Sequence, residues 1–457
     1  MLDIPAELLL VISAHMDHHD LRGLAVTSRF LRDLLLPEYL RRRGLKLKDT
    51  CTGGTSVELR DLSGYASLGL WSIVPAFRPP EQMYCSIPDD AQEARSAIGF
   101  VTRFLLDPSN TSNLRKFHFS LWDHDPLPIM SELIKLQGLY CVLPLTQLCI
   151  SGYGSAAYLP PSITLRSGTS CGSHTLTSLY ISSDLPFAPG LVRTMMGILE
   201  QSPIKRLSIY MVSLNCSQWS TLLGQLNMAL LEDIKVEGDI PQPALIRFLI
   251  KHRGLRVIRV KSNVPSYRTR PSRPQSRHFL PNLRTLHAPL VICCDIIRRA
   301  SNPSNLYELC AEVSQLHPHD PLFLQLVKTL RDFRKLDHLG LRLVPSSPTI
   351  PQAIPGDYSW DGHPPCELRQ VHRLSFHRSQ GLLSLGDIVC LHLLSFVFLA
   401  LLIGQDVMRA YIRLFPMLEV LHVAEEGAAD RVGLLESLRK SSPTLRAVTV
   451  FSGSFLR

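Results

Sequence analysis

Gly168-Thr169-Ser170-Cys171-Gly172 has the spacing that can present a serine nucleophile between two glycines. That chemistry needs a strand before the serine and a helix after it, so that the hydroxyl stands exposed on a sharp turn. Here a polar stretch precedes the serine and an apolar triplet follows, so the segment reads as a loop. His317-Pro318-His319-Asp320 gathers metal-ligand residue types, but reads as a loop leading into a helix. The carboxylate pairs Asp89-Asp90 and Glu425-Glu426 read as solvated loop charge. There is no P-loop, HExxH or dinucleotide fingerprint, and the 17 histidines are scattered. The expectation is a non-catalytic chain with no cofactor and no metal.

Bulk properties narrow the class. The 457 residues are too many for one ordinary core, a limit that a solenoid escapes. With 45% hydrophobic and 19% charged residues the chain is globular. Its net charge of +9 favours acidic partners, but the basic residues are spread along the chain and make no nucleic-acid footprint. The 11 cysteines form no CxxC pair, and the closest two, Cys293-Cys294, are adjacent. An odd count behind an acidic start, Leu2-Asp3-Ile4-Pro5, suggests reduced thiols in the cytoplasm or nucleus. The apolar run Ile388 to Ile403 would span about 24 Å as a helix, short of the roughly 30 Å hydrocarbon core, so no membrane span is expected.

The elements come from two patterns. The first is the spacing leucine-x-x-leucine-x-apolar, found twelve times. It begins at Leu114, Leu145, Leu176, Ile204, Leu231, Leu255, Leu283, Leu306, Leu336, Val371, Leu418 and Leu445, mostly 23 to 35 residues apart. Amphipathic stretches lie ahead of many triplets, such as Leu191 to Gln201, Trp219 to Met228, Leu245 to His252 and Leu322 to Phe333. A helix and a short strand repeating at this period read as an α/β leucine-rich-repeat solenoid with a parallel sheet on its concave face.

The second pattern is N-terminal. Pro5 suits a first helical turn, and Glu7 favours the positive end of that helix's dipole. Leu8, Leu9, Ile12 and Met16 recur at helical steps. Asp20 is placed to cap a second helix carrying Leu21, Leu24 and Ala25, and Ser28 a third that runs to Pro37. Gly23 costs about 1 kcal/mol if it is mid-helix. Three helices in so few residues bury too little surface to stand alone, and are best explained if their outer apolar residues meet a partner.

Pro5-Ala6-Glu7-Leu8-Leu9, Asp20-Leu21 and Ser28-Arg29-Phe30-Leu31 together resemble the F-box, and with the repeats the chain resembles the F-box/leucine-rich-repeat proteins abundant in mushroom-forming fungi. The likeness covers residues 3 to about 43 and, more loosely, 114 to 450. The repeats are degenerate, since the asparagine that usually follows the strand is absent from most. The resemblance implies a substrate-recognition adaptor of a cullin–RING ubiquitin ligase. Pro5, Leu8, Leu9, Ile12, Leu21 and Leu24 would contact, or support contact with, the Skp-type linker subunit, and through it the cullin. The repeats would hold an unknown target protein. Lys116, His118, Tyr180, Lys235, Arg259, His338, Arg373 and His422, at the polar strand positions, are the candidate target contacts. Two other readings stay open: a repeat scaffold outside any ligase, and an enzyme on an α/β fold.

The expected organisation is a helical module over 1–44, a linker and cap over 45–110, and repeats over 111–457. Within the linker, Gly44 to Gly54 reads as a flexible joint, Val57 to Leu59 and Leu68 to Val74 as strands, Pro75 to Pro88 as a proline-rich loop and Ala91 to Leu106 as a helix. Lys261 to His278 and Pro345 to Pro365 read as loops, the first basic enough to meet a phosphate. The chain stops just after its last triplet, where a repeat array would carry a polar cap. The 47 residues from Val371 to Leu418 are an outlier, and removing Val389 to Gln405 restores a spacing of 30. The expectation is a retained intron: transcript sequencing should find messages that skip the segment, whereas uniform retention would overturn it.

Overall fold

The computed structural model describes residues 4–43, 45–49, 55–71, 79–121, 127–152, 173–262, 279–300, 305–313, 321–343, 368, 370–371, 373–378, 416–424 and 443–451. They fall into two compact units, one of residues 1–231 with 237–239, the other of 232–236 with 240–457.

The first unit opens with three helices, α1 (Ala6–His15), α2 (His18–Thr27) and α3 (Arg29–Arg42). Ser28 caps α3 as expected, its hydroxyl accepting from the Leu31 amide at 3.1 Å. The cap of α2 is Asp17, not Asp20: its carboxylate accepts from the amides of His19 and Asp20, both at 2.8 Å. Helix α3 does not stop at Pro37 but continues through it. The turn beyond the proline is held by Glu38, paired with Arg41 and Arg42 three and four residues on.

Strands and helices then alternate. β1 (Leu45–Asp49) pairs antiparallel with β2 (Thr55–Leu59), so part of the expected flexible joint is a hairpin strand. α4 (Leu62–Trp71) replaces the strand expected from Leu68, because the Asp61 carboxylate accepts from the Gly64 amide at 2.8 Å and starts a helix that buries Tyr65 and Leu68. β3 (Gln82–Ile87) lies inside the expected proline-rich loop, where Met83, Cys85 and Ile87 alternate inward. There follow α5 (Ala91–Leu106), as expected, then α6 (Pro108–Thr111), β4 (Lys116–Leu121), α7 (Met130–Leu139), β5 (Gln147–Ser151), β6 (Ser178–Ser182), α8 (Val192–Gln201), β7 (Arg206–Ile209) and α9 (Cys216–Gln225). From β2 to β7 each strand pairs in parallel with the next in the chain.

The second unit repeats the scheme with β8 (Asp233–Gly238), α10 (Gln242–Lys251), β9 (Val257–Ser262), β10 (Thr285–Pro289), α11 (Leu290–Arg299), β11 (Glu308–Val313), α12 (Pro321–Leu330), β12 (His338–Leu343), β13 (Arg373–Arg378), β14 (Val420–Ala424) and β15 (Ala447–Phe451). Neighbours from β9 to β15 are parallel.

One packing rule runs through both units. The second and third residues of every triplet lie on a strand, and the register stacks like on like: Ile258, Leu286, Leu309, Leu339, Leu374 and Leu421 form one row of buried side chains. The first residue of each triplet, such as Leu114, Leu145 or Leu336, is buried just ahead of its strand. A backbone device sets the register. The carbonyl one residue before a strand accepts from two consecutive amides at the start of the next: Arg115 from Thr146 and Gln147, Thr146 from Thr177 and Ser178, Arg284 from Tyr307 and Glu308, Tyr307 from Asp337 and His338. Helices cover the buried side, as with α5, which turns in Ala94, Ala97, Ile98, Val101, Phe104 and Leu105.

Cys85, Cys149, Cys216, Cys293, Cys294 and Cys310 are free thiols. Cys141 is disulfide-bonded, against the expectation of reduced thiols throughout.

Gly238 has φ +146°, and a Cβ there would lie 2.8 Å from Nε1 of the fully buried Trp219. Gly238→Ala is expected to cost about 2 kcal/mol through backbone strain and overpacking, read as a lower urea midpoint followed by tryptophan fluorescence.

Candidate interaction surfaces

Helix α1 leaves an apolar face uncovered. Leu8 is 54% exposed, Val11 59% and Ile12 49%, with Leu10 and Phe30 of α3 also exposed. Pro5 is exposed too, while Leu9 and Leu24 are half-buried. Leu21 is fully buried, with Leu35, Leu36, Tyr39 and Leu40, so it supports the module from inside and is not a surface contact. Leu10, Val11 and Phe30 were missed by the sequence reading, which followed one strip of the helix.

The face is held by a charged clamp. Arg42 reaches back to α1 and donates to the carbonyls of Ser13 at 2.6 Å and Met16 at 2.7 Å, satisfying groups that a helix end leaves unpaired. Glu38 aims that guanidinium, accepting from Arg42 Nε and from Arg41 at 2.8 Å. These bonds, with Arg41 foremost, hold the Glu38 carboxyl down at about 2, against the opposing effect of burial.

The second candidate surface is the open side of the strands, where residues alternate with the buried rows. In the first unit Lys116, His118 and Tyr180 lie there, half-buried. His118 Nε2 is 2.8 Å from Ser151 Oγ, its ring edge-on to Tyr84, and burial pushes its pKa down, which favours the neutral imidazole. Ser86, Ser120, Ser151 and Ser182 line up in register along one edge of this face.

In the second unit the open side is laced across strands. Arg259 pairs with Asp233 at 3.4 Å, Arg342 with Glu312 at 3.3 Å and Arg373 with Asp337 at 3.5 Å. Glu308 sits between two imidazoles, His287 Nε2 at 3.2 Å and His338 Nδ1 at 3.5 Å. Their hydrogen bonds, His287 first, hold its carboxyl far below the usual range despite burial. His338 Nε2 continues to Ser375 Oγ at 2.8 Å. Hydroxyl, imidazole and carboxylate thus follow one another in the order of a nucleophile and its base. Ser375, however, is only 1% exposed, and a Cβ at Gly340 would lie 3.1 Å from its Oγ and 3.0 Å from Cys310 Sγ. The hydroxyl is packed beneath its neighbours, so the chain of bonds ties β11, β12 and β13 together. No sequence signal marks it, because its members come from three separate strands.

Of the eight candidate target contacts, the structure puts Lys116, His118 and Tyr180 in one unit and Lys235, Arg259, His338 and Arg373 in the other. Lys235 is exposed. His422 falls on β14, but its side chain lies outside what is described. The serine at 170, the cluster at 317–320, the loops over 263–278 and 345–365 and the segment 389–405 lie outside the described residues. Among the described residues no group of three or more His, Cys, Asp or Glu is placed to hold a metal ion, and no helix is long and apolar enough to cross a membrane. No family model matches the chain, and no curated protein matches it significantly. Fold and surfaces together define an α/β protein of sequentially ordered parallel strands with a polar open side in each unit, led by a three-helix module with an uncovered apolar face.

The clamp on α1 is pH-dependent. A carboxyl with a depressed folded-state pKa adds stability above the ordinary range near pH 4.5 that fades as pH falls toward 2. Glu38→Gln in the full chain should speed hydrogen exchange of residues 6–15 several-fold at pH 6, corresponding to about 1 kcal/mol. The difference from wild type should shrink at pH 3.

Proposed function

We propose that this chain is a receptor subunit: an F-box over the first three helices, joined to a leucine-rich-repeat domain, acting as substrate-recognition adaptor of a cullin–RING ubiquitin ligase in the cytoplasm or nucleus. The observation that carries the reading is the uncovered apolar face of α1, with Leu8, Val11 and Ile12 about half exposed on a module too small to leave such surface in water without a partner. The Skp-type linker is the proposed partner, with Pro5, Leu8, Leu9 and Ile12 as contacts, Leu10, Val11 and Phe30 added to them, and Leu21 and Leu24 as support.

The mechanism needs no bond chemistry in this chain. Holding a target on the open side of the strands while the helices dock on the linker raises the local concentration of target lysines at a charged conjugating enzyme, and proximity supplies the rate. The polar strand positions, unlike the buried leucines, are free to differ between receptors without loss of the core.

Leu8→Asp with Ile12→Asp is the direct test, since both side chains already meet water and the fold should survive. Co-expressed with a fungal Skp-type linker, the wild-type chain should form a one-to-one complex. The double variant should lose at least a hundredfold in affinity, as expected when two apolar side chains worth about 1.5–3 kcal/mol each no longer bury. A folded wild-type chain that ignores the linker would leave a repeat scaffold in its place.

A further inference from the structure

The open side of β4 to β7 differs from the rest. Its residues in register are Lys116, Gln147, Ser178 and Arg206 in one row, and His118, Cys149, Tyr180 and Ser208 in the next. No carboxylate stands in either row. Lys116 is half-buried and Arg206 exposed, and neither side chain has an ion-pair partner among the described residues. On the second unit's strands, by contrast, each described cation is partnered: Arg259, Arg342 and Arg373 by carboxylates, and Lys235 and Lys261 by further contacts. The two unpaired cations are three strands apart, roughly 14 Å at the usual inter-strand spacing. An extended chain covers that distance in four residues, and its residues i, i+2 and i+4 face the same way.

We infer that the open face of β4–β7 binds an extended acidic segment of a partner protein, with carboxylates at i and i+4 on Lys116 and Arg206 and a neutral polar side chain at i+2 over Gln147 and Ser178. Tyr180, in the next row, supplies aromatic contact and a hydroxyl. Cations with no internal partner gain more from an incoming carboxylate than cations already paired, the half-buried Lys116 most of all. The second unit's open face, neutralised from within, adds little to the attraction. As a description of the target, this rests on the receptor reading.

The test uses the full chain and three fluorescein-labelled peptides read by polarisation at low salt: Gly-Ser-Glu-Ser-Gln-Ser-Glu-Ser-Gly, an isomer with its two glutamates adjacent, and a version with lysine for both glutamates. The first should bind at least tenfold tighter than the other two, and more weakly as salt rises. Lys116→Glu with Arg206→Glu should remove that preference, while Arg193→Ala with Arg298→Ala, at exposed positions of helices α8 and α11, should leave it. Equal binding of the lysine peptide, no binding of the first peptide, or full binding by the charge-reversed variant would overturn the inference. Linker binding is read on the same preparations, so a chain that takes the linker but not the acidic peptide sinks only this inference, and the converse sinks only the adaptor reading.

Discussion

Everything in this molecule depends on strands that bury their apolar rows against the next strand in the chain. Leu286, Leu309, Leu339, Leu374 and Leu421 each sit beside the equivalent residue of the neighbouring strand and are fully buried. Burying each is worth about 1.5–3 kcal/mol, so no single strand is stable without its neighbours. Because neighbours in space are neighbours in sequence, stability builds by nearest-neighbour increments instead of by closure of distant segments.

That arrangement also explains what is free to carry function. Alternation along each strand sends every second residue to the side away from the helices, where it contributes little to the core. The first unit uses those positions, from β4 to β7, for uncharged hydrogen-bonding groups and the cations Lys116 and Arg206, while β2 carries Glu58, bonded to Arg60. The second uses them for cross-strand ion pairs and the Glu308–His338–Ser375 chain. Gly340 shows how the core rows and the open rows constrain one another: only a residue without a side chain lets Cys310 and Ser375 close over that point of the strand. The N-terminal module follows the opposite rule. Its inner residues Leu21, Leu35 and Leu40 are fully buried, while α1 turns leucines and an isoleucine outward.

The triplet spacing was legible because a repeated burial pattern leaves a repeated sequence pattern. Helix α5 was legible as well, from its apolar residues at steps of three and four, although Asp90, read as loop charge, proves to be its cap. Between residues 45 and 90 the strand over Val57 to Leu59 was legible, as part of β2, but β1, α4 and β3 were not, for local reasons. β3 is a period-two alternation beside a proline-rich stretch, and α4 depends on one Asp61 hydrogen bond outweighing an apolar run that looked like a strand. Pro37 misled because a helix tolerates a proline when the following turn is held by other bonds, here Glu38 with two arginines.

By itself the sequence determined which residues form the buried rows, how often they recur and that the N-terminal segment is three short helices, since burial and helix capping act over a few residues and mark their own positions. Only the tertiary structure decided which polar residues pair across strands, which cations stay unpaired and which of the leucines in α1 face water. The cross-strand pairs join residues 21 to 37 positions apart, and the register that sets them comes from neighbouring strands rather than from any residue's own surroundings in the chain.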